Sequence, residues 1–95
     1  MFVTLTLVNG TPASIAELLP HARGFARQAM ASDCCRRIDV LTDATDAGRL
    51  VVFAVFHDQD AFEDHCATEH ARRFEDACER LAATRQSMRL VPEPT

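Results

Sequence analysis

The stretch from Leu50 to Phe74, LVVFAVFHDQDAFEDHCATEHARRF, decides the fold. Val51, Val52, Phe53, Ala54, Val55 and Phe56 have the β-branched and aromatic content of a buried strand, and His57-Asp58 ends it. Helix signals follow at once: Asp58 can cap, and Asp60 and Glu63 place negative charge in the first turn. On a helix of about 3.6 residues per turn, Phe62, Cys66, His70, Phe74, Ala77 and Leu81 share one face. This spacing predicts that His70 sits among core-type residues. His65 falls about 140° from the middle of that stripe, which predicts exposure on an unbroken helix. A helix break at Ala67-Thr68 would turn it inward.

Outward from this strand and helix, the elements repeat the same pairing. Phe2, Thr4, Thr6 and Val8 alternate with Val3, Leu5 and Leu7, the period of a two-faced strand, and Asn9-Gly10-Thr11-Pro12 breaks it. Ser14 followed by Glu17 forms a capping-box pattern, and Ile15, Leu18, Leu19, Ala22, Ala26, Ala29 and Met30 recur with helical spacing. A helix is therefore expected from about Ala13 to Ala31, with a kink or tight first turn at Pro20. Cys35 to Leu41 reads as a strand, and a polar turn from Thr42 to Gly48 joins it as a hairpin to the strand at Arg49 to Phe56. The long helix is expected to end near Ala83, and Gln86 to Val91 supplies a final strand.

The order is βαββαβ in a single domain, residues 1–95. It predicts a ferredoxin-like α+β fold with one antiparallel sheet and both helices on one of its faces. The other face, expected to carry Phe2 or Val3, Ile38, Val40, Phe53 and Val55, is too apolar for water. A second copy of the sheet is the simplest cover, which predicts a homodimer.

Composition narrows the function. With 95 residues, 47% hydrophobic and a net charge of −4, the chain reads as an ordinary globular domain. Its arginines are interspersed with acids, as in Arg72, Arg73, Glu75, Asp76, Glu79 and Arg80, so no single-sign patch addresses nucleic acid or anionic lipid. Met1 to Val8 is apolar but too short to span a membrane, and it has no signal-peptide pattern. The expected location is the cytoplasm. Cys34, Cys35, Cys66 and Cys78 are read as reduced thiols, mostly buried. Cys66/His70 and His65/Glu69 have the four-residue spacing of helical metal ligands, but a site needs three or four ligands, so no metal is expected.

The string from Phe56 to His65, FHDQDAFEDH, with His70 five residues on, resembles the antibiotic biosynthesis monooxygenase family of dimeric α+β barrels. His65, His70 and Phe74 match the family's two histidines and following aromatic, and Cys35 matches a cysteine that commonly opens the second strand. Two departures stand out. Ala54 occupies a position where members often carry glutamate, and the chain has no Trp or Tyr.

The resemblance implies cofactor-independent oxygenation. A quinol- or anthrone-like ring compound is deprotonated, and its electron-rich anion reacts with dioxygen without flavin or metal. Such a site holds an organic anion in an apolar cavity beside a base that titrates near the working pH, a window that suits histidine. On this reading His70 is base or orienting group, with His65 near the entrance. Phe53, Phe56, Phe62 and Phe74 contact the substrate, and Arg37 or Arg89 supplies counter-charge. Two alternatives stay open: an isomerase of a small dicarbonyl compound, and a dimer that binds a small ligand without catalysis. On stripe position alone, His70 is equally a packed core histidine.

Overall fold

In a computed structural model that describes residues 1–81 and 84–94, the expected alternation of strands and helices is present. Strand β1 spans Phe2–Asn9, helix α1 Pro12–Ala31, β2 Cys35–Asp43 and β3 Asp46–Phe56. Two helices follow in place of one long one, α2 at Gln59–Cys66 and α3 at Glu69–Arg80, and β4 is Thr84–Leu90. The helix end expected near Ala83 lies outside the described residues. All neighbouring strands are antiparallel in the order β2-β3-β1-β4, the arrangement of a ferredoxin-like α+β domain. No helix among the described residues is long and apolar enough to cross a membrane.

Local chemistry moves several boundaries. Helix α1 starts from Thr11 rather than Ser14: the Thr11 hydroxyl accepts the Ser14 N–H at 3.1 Å, and Pro12 occupies the first turn, where a missing N–H costs nothing. The helix continues through Pro20, whose side chain is exposed. The hairpin strands extend into the expected Thr42–Gly48 turn, leaving Ala44 and Thr45 between them. The Asp43 carboxylate closes that turn by accepting the Thr45 N–H and hydroxyl, each at 2.9 Å. A β-carbon at Gly48 would run into the Gly10 carbonyl, and the Gly10 N–H donates to the Gly48 carbonyl at 2.9 Å, so the β1–α1 turn sits directly on β3.

The register assigns the two faces of the sheet. Phe2, Val8, Ile38, Leu50, Val52, Ala54 and Phe56 turn toward Ile15, Leu18, Ala22, Phe25 and Ala29 of α1 and Phe74, Ala77 and Cys78 of α3. Ile38 and Val40 thus belong to the helix-covered core, not to the open face expected for them. They pair with Ala54 and Val52, and a β-bulge between Cys35 and Arg37 sets the strand one residue out of phase, so that Cys35 lies opposite Phe56 inside the same core. Val3, Leu5 and Leu7 alternate with those core positions and pair with Val55, Phe53 and Val51 and with Leu90, Met88 and Gln86. Together they form an apolar open face.

Candidate functional site

Thr68 positions the site by breaking the long helix. Its hydroxyl donates to the His65 carbonyl at 2.6 Å at the end of α2 and accepts the Ala71 N–H at 3.3 Å at the start of α3. One side chain therefore terminates one helix and caps the next. The break rotates the α2 stripe, so that His65 is 6% exposed while Cys66, expected in the core, is exposed. His65 lies among the rings of Phe56 at 4.9 Å, Phe25 at 5.3 Å and His70 at 5.8 Å.

Between sheet and helices lies a cavity of about 310 Å³. Its apolar wall is made by Phe25, Phe56, Phe62 and Phe74 with Ile38, Val52 and Ala54, and Phe25 stacks on Phe74 at 4.8 Å. A polar strip from β1 and β4 faces that wall: Thr4, Thr6 and Ser87, with Thr6 Oγ1 and Ser87 Oγ 3.0 Å apart. The exposed Cys66, Glu75, Arg85 and Ser87 stand at its solvent side. An apolar concavity with a few convergent polar groups is the usual form of a small-molecule site.

Burial, and secondarily the charge of His70, holds His65 down to a pKa of about 4, so its imidazole is neutral at pH 7. His65 Nδ1 and His70 Nε2 are both buried without a hydrogen-bond partner among the described residues. Unpaired buried nitrogens of this kind are rare in native cores. Among the described residues, no three side chains of His, Cys, Asp or Glu converge as a metal cage.

The His65 shift makes stability depend on pH. The unfolded chain protonates this residue near its ordinary value of about 6.5, whereas the folded protein refuses the proton down to about 4. Its contribution is full above that range and is lost as pH falls through it, on the order of 3 kcal/mol in total. Urea midpoints measured between pH 7 and pH 4 are expected to decline, with most of the decline removed in His65→Phe. An equally steep decline in that variant would assign it to other groups.

The sequence profile of the antibiotic biosynthesis monooxygenase family matches residues 1–88. The chain belongs to that family. No curated protein matches its sequence. Among solved structures, an antibiotic biosynthesis monooxygenase superposes with a TM-score of 0.88 at 24% identity, covering 99% of this chain and 100% of its own. PA3566 from Pseudomonas aeruginosa does so with 0.84 at 23%, covering 98% and 95%. SnoaB, a cofactor-independent oxygenase from Streptomyces nogalater, does so with 0.76 at 19%, covering 99% and 94%.

Within this antibiotic biosynthesis monooxygenase fold, the residues singled out from the sequence separate into two groups. Phe56, Phe62, Phe74 and His65 line the cavity. His70, half-buried, packs behind His65 and is not among the lining side chains, which reverses the expected order of the two histidines. Phe53 and Arg37 lie on the opposite face of the sheet, where Arg37 Nε bonds Asp39 at 2.7 Å and its guanidinium stands 5.9 Å from the Phe53 ring. The β-bulge and the period of β3 together send both away from the cavity. Arg89 shares the cavity face but lies over Phe2, 4.5 Å from the ring centroid, and does not line the cavity. Phe25, Thr4, Thr6, Arg85 and Ser87 line the cavity without being singled out by the sequence. The period-2 pattern of β1 marks Thr4 and Thr6 as sharing a face, and the alternation of Met88 and Leu90 with Arg85, Ser87 and Arg89 marks the same face of β4.

Proposed function

We propose that this protein is a cofactor-independent monooxygenase acting on a small, electron-rich ring compound of the quinol or anthrone kind. The observation that carries this reading is a buried, neutral His65 lining an apolar cavity large enough for such a compound. An engineered cavity of about 150 Å³ seats one benzene ring, and about 310 Å³ leaves room for more. The frequent family glutamate is replaced by Ala54, which is buried on the cavity wall and leaves that volume open. The fold's likeness to SnoaB supports the same chemistry.

In the proposed reaction His65 accepts the proton lost by the substrate. The imidazolium and the substrate anion then stabilise one another away from water, which raises the proton affinity of His65 when it is needed. The anion's carbon forms a bond to dioxygen, and the resulting peroxide takes back the proton held by His65, giving a hydroperoxide. Cleavage of its O–O bond with loss of the remaining C–H releases water and leaves a carbonyl. His70 acts through His65 as a positioning residue. Substrate-dependent oxygen uptake by metal-free, flavin-free protein, across a panel of quinols, anthrones and catechols, tests this reading. Uptake is expected for at least one member, and silence across the panel would exclude it.

The protein is further proposed to be a cytoplasmic homodimer. Four free cysteines suit a reducing compartment. The open sheet face, with Val3, Leu5, Phe53 and Val55 at its centre, supports pairing with a second sheet. Sedimentation at micromolar concentration is expected to give a dimer, and Phe53→Glu a monomer. A monomeric mass for the unaltered protein would refute the pairing.

A further inference from the structure

Arg85 lies near the start of β4, opposite Val8 on the cavity face of the sheet, and it is the one permanent cation among the described side chains that line the cavity. Its Nη2 donates to Glu75 Oε1 of α3 at 2.8 Å, and the two side chains are 34% and 48% exposed. Exposed pairs of this type are worth only ~0.2–1 kcal/mol. An incoming anion can therefore take the place of Glu75, whose carboxylate already reaches water.

The other polar groups facing the cavity carry no positive charge at neutral pH. Thr4, Thr6 and Ser87 offer hydroxyls, and His65 is neutral. Although Cys66 is exposed as a residue, desolvation of its sulfur at the cavity rim, helped by the carboxylates of Glu75 and Glu63, pushes the thiol up, so it stays protonated. A ligand that ionises here places negative charge in an apolar cavity of a protein whose net charge is −4. Stabilisation of that charge falls to the nearest cation.

We infer that Arg85 is the anion-stabilising residue of this cavity, binding the ionised oxygen of a ring-hydroxyl ligand in exchange for Glu75. The inference rests on the function proposed above and narrows its substrate to ring compounds carrying an acidic hydroxyl that can reach the mouth of the cavity. Glu75 then serves as the occupant of the anion position when no ligand is bound.

The test uses 4-nitrophenol, whose ionised form absorbs at longer wavelength, titrated on the full chain under nitrogen. Bound probe is expected to ionise at least one pH unit below free probe, a tenfold gain in acidity. Arg85→Gln is expected to abolish that shift, and Glu75→Gln, which frees the guanidinium, to deepen it. Both side chains are part-exposed, so neither change empties the core. Absence of saturable probe binding, or the same shift in Arg85→Gln, would overturn the inference. A shift that depends on Arg85, with no oxygen uptake from any quinol, would uphold the anion site and remove the oxygenase. Uptake without a shift would do the reverse.

Discussion

His65→Ala is expected to lower substrate-dependent oxygen uptake at least a hundredfold, and His65→Gln by a similar factor. General acid–base groups contribute roughly 10²–10⁴ to a rate, and His65 is the imidazole that lines the cavity. Glutamine keeps a hydrogen-bonding amide in place but cannot take a proton, so it separates proton transfer from simple positioning. The loss is expected in kcat more than in KM, because the phenylalanine wall that binds the ring is unchanged. His70→Ala is expected to cost about tenfold through its neighbour. Since His70 is one of the two causes of the low His65 pKa, its removal also raises that pKa, which the proton resonances of the imidazole report directly. Unchanged uptake in both His65 variants would remove this residue from the mechanism. An unmoved His65 titration in His70→Ala would break the link between the two rings.

Phe56→Ala is expected to destabilise the fold by about 3–5 kcal/mol, the usual cost of emptying a fully buried aromatic position. Phe56 is 1% exposed and ends β3 where the chain turns into α2. Its ring meets Phe62 edge-on at 5.3 Å and His65 at 4.9 Å, so it packs both the start and the end of α2 against the sheet. For a domain whose whole stability is on the order of 5–15 kcal/mol, this is a large fraction. The melting temperature is expected to fall by more than ~10 °C. A fall of less than ~3 °C would mean that the neighbouring rings close over the space and that Phe56 does not organise the site. By contrast, Phe53→Ala lies on the other face of the sheet and leaves the cavity wall intact.

The residues that misled sequence reasoning did so for identifiable reasons. Ile38 and Val40 are expected on the open face, yet a bulge at Arg36-Arg37 puts Cys35, Ile38 and Val40 all on the helix side, where simple alternation would set Cys35 against the other two. No single-residue propensity announces such a bulge. An unbroken helix puts Cys66 in the core and His65 outside it, a break at Ala67-Thr68 turns His65 inward, and the structure has the break. Thr68 is an ordinary N-cap residue, but its effect on orientation appears only once both helices pack on the sheet. Arg85 is not singled out because the expected last strand, Gln86 to Val91, begins after it, although Met88 and Leu90 alternate with Ser87 and Arg89 along β4 and tell its two faces apart.

By itself the sequence determined the kind and order of the elements, save that one helix is expected after β3 where the structure has two. Strand periodicity in β1 and β3 and the apolar stripes of α1 and α3 are local properties, each repeated over enough residues to be read without knowing what they pack against. It also determined the family, through the histidine-bearing segment after β3. Only the tertiary structure decided which histidine enters the cavity, which arginine stands at its mouth and which phenylalanines wall it. Those choices turn on a helix break, a bulge and the registers of β3 and β4, each a matter of about one residue. Because successive side chains point some 100° apart on a helix and 180° apart on a strand, such a displacement reassigns a residue from core to solvent while leaving the element order unaltered.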